Sequence, residues 1–165
     1  TAGDVDRAVR AADRAFNEGA WPAMSPTQRG HCLRRLAAIL VEHAEPLGQI
    51  EATDTGKLFK ETRWQADYLA EFYTFFAGCA DKVSGDTLPI DKPDMFVFTH
   101  REPLGVVAAV VPWNSQLFLS AIKIGPALAA GNTAFTMLPS GATMVTGFSM
   151  PWFCGQSGSS KTFMQ

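Results

Sequence analysis

From Pro103 to Gln165 the chain has no Asp, Glu, His or Arg, and its only charges there are Lys123 and Lys161. A segment so short of charge belongs inside something, either a buried sheet or an interface. Cysteine is scarce as well. Cys32, Cys79 and Cys154 are too few and too irregularly spaced for a disulfide framework or for a metal knuckle built on close cysteine pairs, which fits a reducing, cytoplasmic setting. Positive charge is not in excess: the formal net charge is −2, and the Lys and Arg residues are scattered along helices, so nucleic acid is not an expected partner. No run of about eighteen apolar residues exists, because Lys123 interrupts the longest candidate, and the first residues lack a basic and then apolar leader. A membrane is therefore not expected as a partner either.

With 165 residues, 47% of them hydrophobic, the chain has enough apolar surface for one ordinary core. Asp4 precedes Val5, Ala8, Val9, Ala12 and Phe16, an apolar stripe at helical spacing that stops at Gly19; this predicts an amphipathic helix capped by Asp4. Ser25-Pro-Thr-Gln28 supplies an N-cap, a proline at the first helical position and a capping-box glutamine, so a second helix follows with Leu33, Leu36, Ile39 and Leu40 facing inward. A third helix is expected over 45–56. In a fourth, Trp64, Tyr68, Phe72 and Phe76 recur at every fourth position, and the reading they support is bundle core.

The pattern changes at Val83. Strands are expected over 87–90 and 95–101, joined by the turn sequence Asp91-Lys-Pro-Asp94. The apolar run 106–111 reads as a strand buried on both faces whose C-terminal end meets a ligand crevice. A helix over 115–130 should follow, interrupted near Gly125-Pro126 and stopped by Gly131-Asn132. Strand, loop and helix in that order open a doubly wound α/β fold. Two further strands, 133–138 and 142–146, are separated only by Pro139-Ser-Gly141, whereas a parallel crossover needs about a dozen residues or more. They therefore form an antiparallel pair, or the helix that should connect them is missing.

The tail, Gly155-Gln-Ser-Gly-Ser-Ser-Lys-Thr162, admits two readings. As a phosphate loop it has Ser160 where a glycine should precede the lysine, and only Phe163, Met164 and Gln165 remain to build the helix that would hold the anion. The second reading comes from resemblance. The chain resembles the aldehyde dehydrogenase superfamily from Asp4-Val-Asp-Arg-Ala-Val9 onward. The likeness is densest in Arg101-Glu-Pro-Leu-Gly-Val-Val-Ala-Ala-Val-Val-Pro-Trp-Asn114 and Lys123-Ile-Gly-Pro-Ala-Leu-Ala-Ala-Gly-Asn-Thr133. Beyond Thr133 it continues in two pieces, Leu138-Pro-Ser-Gly to Val145-Thr-Gly-Phe148 and Trp152 to Gln165, which lie far apart in the family and abut here.

The resemblance implies N-terminal helices of a cofactor-binding domain over 1–82, a hairpin arm over 83–102 through which subunits form homo-oligomers, an incomplete Rossmann-like sheet over 103–150 and a stub of catalytic domain over 151–165. It implies NAD- or NADP-dependent oxidation of an aldehyde to a carboxylate, in which a thiolate adds to the carbonyl and a Glu activates water. Asn114 falls where the family places an oxyanion donor; its alternative reading is a turn residue capping the next helix. Val111, Pro112 and Trp113 fall on the dinucleotide cleft, Gly147 near the adenine pocket, and Lys123 on a lysine tied to proton traffic. Gly158 stands where the family has its nucleophilic Cys. Cys154, four residues away in an apolar setting, is a poor substitute. The general-base Glu has no counterpart, since Glu102 is the last acid. Ala134-Phe-Thr-Met-Leu138 replaces the family's ribose-binding Lys segment, and the phosphate-side G-S-T-x-x-G turn is missing. The chain by itself is thus expected to lack dehydrogenase activity, and the alternative is a non-catalytic protein that co-assembles with full-length subunits.

Overall fold

The computed structural model describes residues 1–137. Helices α1 (Ala2–Asn17), α2 (Pro26–Glu42), α3 (Ala44–Thr55) and α4 (Phe59–Cys79) come first. Strands β1 (Thr87–Leu88), β2 (Val97–Phe98) and β3 (Val106–Val110), helix α5 (Gln116–Ala129) and strand β4 (Thr133–Met137) follow. The strand expected over 142–146, together with Gly147, Cys154 and Gly158, lies outside the described residues.

Helix α1 begins earlier than expected. Its N-cap is Thr1, and Asp4 sits at the third helical position, where its carboxylate accepts from the Thr1 hydroxyl at 2.6 Å. An acid in the first turn suits the positive end of the helix dipole as well as a cap does, which is why the pattern alone misplaced the start. At α2 the expected cap holds: Gln28 N–H donates to Ser25 Oγ, and the Gln28 side chain accepts from Ser25 N–H at 2.8 Å. Gly56, in the left-handed region at φ 75°, ends α3.

Helix α4 reverses an expectation. The face it buries is Thr62, Ala66, Leu69, Ala70, Tyr73 and Ala77, while Trp64 is 63% exposed and Tyr68 39%. Small residues win the core position because α2 comes close: a Cβ at Gly30 would lie 2.6 Å from the Ala77 carbonyl oxygen. Ala fits such an approach and a bulky ring does not. The aromatic stripe turns instead toward α5, where Phe118 packs between Tyr68 and Phe72 with ring centroids 6.1 and 6.5 Å apart. Only Phe72 and Phe76 of the four reach the core, and they do so from its edge.

Strands β1 and β2 pair antiparallel through Thr87 with Phe98 and Leu88 with Val97, a shorter hairpin than expected. Pro89 has no N–H to extend the ladder on one side, and on the other it runs one bond further, from Thr99 N–H to the Asp86 carbonyl. Strands β3 and β4 pair parallel over five residues, from Val106 with Thr133 to Val110 with Met137. Helix α5 is the crossover between them, and it is continuous. Pro126 lies within it, and the Ala130 N–H still reaches the Pro126 carbonyl, so the expected interruption does not occur. Gly131 at φ 94° stops it, as expected.

β3 is not buried on both faces among the described residues: Ala109 is 1% exposed, but Ala108 and Val110 on the opposite face are exposed, since the helices pack on one side. The core under that side joins Trp21, Leu33, Leu69 and Tyr73 of the helical part to Ile124 and Leu128 of α5 and Ala134 of β4. Polar bonds pin the strand starts to it. Trp21 Nε1 donates to the Asn132 carbonyl at 3.0 Å, Gly105 N–H donates to Asn132 Oδ1 at 3.1 Å, and Thr133 Oγ1 donates to the Ala12 carbonyl at 2.9 Å.

Candidate functional site

In an open α/β sheet ligands gather beyond the carboxyl ends of parallel strands. Here that edge follows Val110 and Met137. Val111 is fully buried, and its N–H extends the ladder to the Met137 carbonyl at 2.8 Å. The chain then turns outward, so Pro112, Trp113 and Asn114 are exposed, Trp113 by 63%. Ser115 is the N-cap of α5. Pro112 and Trp113 thus offer exposed apolar surface and Asn114 a side-chain amide at this edge, side-chain chemistry of the kind a flat, partly apolar ligand such as a dinucleotide calls for.

Ser115 makes no side-chain cap of its own. Its hydroxyl instead accepts from the Lys57 ammonium. The capping bond comes from 66 residues away in the sequence: Glu51, buried at the end of α3 with 3% exposure, accepts the Leu117 N–H through Oε2 at 3.2 Å. Glu51 Oε1 makes no hydrogen bond among the described residues and faces Lys57 Nζ at 3.6 Å. Lys57 also donates to Gln65 Oε1 at 3.4 Å, and the Gln116 side chain donates to Asp54. Thus the α3–α4 junction grips the first turn of α5.

Lys123 lies on α5, half-buried. It lies in the middle of α5, whereas Asn114 lies in the turn that precedes the Ser115 N-cap, so the two stand on consecutive pieces of chain and no contact joins them among the described residues. Glu51, Asp54 and Lys57 were missed by sequence reasoning. Their only local signal is Glu51-Ala-Thr-Asp-Thr-Gly-Lys57, a helix end with acids placed where the dipole disfavours them; such acids need a partner elsewhere.

The sequence pattern of the aldehyde dehydrogenase family matches residues 1–158. A (Z)-2-((N-methylformamido)methylene)-5-hydroxybutyrolactone dehydrogenase of Acinetobacter baylyi is 54% identical over 129 residues, covering 78% of this chain and 26% of that protein. Among solved structures, the NAD-dependent aldehyde dehydrogenase from Sinorhizobium meliloti superposes with a TM-score of 0.80 at 30% identity over 84% of this chain and 28% of that one. A double mutant of betaine aldehyde dehydrogenase from Staphylococcus aureus, in complex with NAD+, gives 0.78 at 37% identity over 82% of this chain and 28% of its own. The chain thus spans between 26% and 28% of the length of these relatives. On the extent of the family match and the identity to these relatives, the chain belongs to the aldehyde dehydrogenase family.

Proposed function

We propose that the chain supplies one wall of the nucleotide cleft and an oxyanion donor to an enzyme that oxidises an aldehyde to a carboxylate, with NAD or NADP as hydride acceptor. The observation that carries this reading is the exposed Trp113-Asn114 turn at the carboxyl edge of the parallel β3–β4 pair and the N-terminal end of α5. Pro112 and Trp113 would help hold NAD or NADP, which when bound would supply the hydride acceptor. The residues of this chain bind and orient. Pro112 and Trp113 offer apolar surface that excludes water, and the Asn114 side-chain amide donates to the carbonyl oxygen as negative charge grows on it. Donors aimed at that developing charge are commonly worth about 3 kcal/mol. Lys123 serves proton movement from further along the helix.

Residues 1–165 by themselves carry out no oxidation, a reading supported by Gly158 at the position expected for the thiol and by the lack of any acid within residues 103–165. The test is an assay of the purified chain with NAD or NADP and an aldehyde; reduced nicotinamide that disappears with Cys154→Ser would sink the reading. Co-assembly with a full-length relative is the second reading. The exposed Leu88, Ile90, Met95, Phe96 and Phe98 of the hairpin favour it. Native mass measurement of the mixture decides: a joint species supports it, and separate species dismiss it.

A further inference from the structure

The α5 N-terminus has an unusual arrangement. A serine at an N-cap ordinarily accepts from a backbone N–H one turn ahead, yet the Ser115 hydroxyl is engaged with Lys57 and caps nothing. Glu51 takes over that work on the Leu117 N–H. A carboxylate is better suited than a hydroxyl to the positive end of a helix, and here it is buried, so solvent does not weaken it. It would be costly to bury alone. Lys57 offsets that cost at 3.6 Å from Oε1 while also holding Ser115, and Asp54 holds the neighbouring Gln116. Two consecutive residues and the next backbone N–H of the turn that carries Asn114 are therefore held by a single stretch, Glu51 to Lys57.

We propose that Glu51 is a positioning residue: it caps α5 from outside the helix and thereby fixes where the Asn114 amide points, with Lys57 as its counter-charge. This rests on the reading of Asn114 as oxyanion donor. A side-chain amide on an exposed turn has ample freedom of its own. For it to be aimed at a developing charge, the backbone beneath it must not move.

The test is amide hydrogen exchange and NMR on the full chain. In Glu51→Ala, exchange at the Leu117 N–H should accelerate about tenfold, the size of a lost cap, while α2 amides keep their rates and the Asn114 side-chain amide resonances shift or broaden. Glu51→Gln, which keeps an acceptor oxygen, should restore Leu117 protection to within about twofold and return the Asn114 resonances. Ser115→Ala should leave Leu117 protected, and this variant carries the test if Glu51→Ala does not fold. The proposal is overturned if Leu117 exchanges unchanged in Glu51→Ala, if every amide accelerates alike, if Glu51→Gln behaves as the alanine variant does, or if Ser115→Ala alone releases Leu117. None of these readouts involves turnover. Failure of the oxyanion reading would show itself separately, as an Asn114→Ala change without effect on aldehyde oxidation by the assembled enzyme.

Discussion

Among the described residues, two strand pairs are built on opposite terms. β1 and β2 are joined by a short local turn, pair over two residues and leave Leu88, Phe96 and Phe98 exposed. β3 and β4 are separated by a whole helix, pair over five residues, and are pinned by Trp21, Asn132 and Thr133 to the helical part. The first pair is cheap to form and contributes little to the core; the second closes a long loop, which only a large burial of apolar surface can offset. Stability should therefore reside in the parallel pair and surface recognition in the hairpin.

The strongest way to break that contrast is Leu128→Ala. Leu128 is 1% exposed in the core beneath α5 and β4, so the cavity should cost about 2–5 kcal/mol, read as a lower denaturation midpoint with an unchanged slope. Next is Asn132→Ala. It removes the acceptor for Gly105 N–H and the donor to the Ala127 carbonyl, and about 1–3 kcal/mol should be lost by the same measurement. A smaller loss would mean that the parallel pair needs no polar pin.

The next effect depends on pH. Tyr73 is 6% exposed, and burial raises its phenol well above the usual value of 10.0. A raised folded value means that the neutral phenol is favoured in the fold. Stability is thus full below pH 10 and falls as pH rises beyond it. Tyr73→Phe should flatten that alkaline decline in urea titrations run at several pH values, and an unchanged decline would place its cause elsewhere. The smallest effect on stability is expected at the hairpin. Phe96→Ser with Phe98→Ser should change the unfolding free energy by less than about 0.5 kcal/mol, yet abolish any joint species with a full-length relative. A large stability loss would show that the hairpin shares the core after all.

Sequence reading succeeded where the cause is local. Ser25, Pro26 and Gln28 carry their own start signal, and Gly131 carries its own stop. The strand at 106–110 is legible from its apolar run, and the Trp113-Asn114 turn from its place after that strand. Reading failed where a neighbour decides. On α4 the periodicity finds an aromatic face, but only the close approach of Gly30 to Ala77 says that the alanine face goes inward. At Pro126 the residue type suggests a break, while packing of Ala121, Ile124, Leu128 and Ala129 on the core keeps the helix whole. At the start of α5 the capping alternative offered for Asn114 falls one residue short: the N-cap is Ser115, and the capping bond to Leu117 N–H comes from Glu51.

The chain's own letters determine where α2 begins and where α5 ends, which segment crosses between the parallel strands and which turn follows the first of them, because capping, chain stiffness and apolar periodicity act over a few residues. Which face of α4 goes inward, and that Glu51 rather than Ser115 holds the start of α5, were decided by the fold alone. Both depend on groups distant in sequence meeting at a few ångströms, and in a buried setting such a meeting outweighs any local preference.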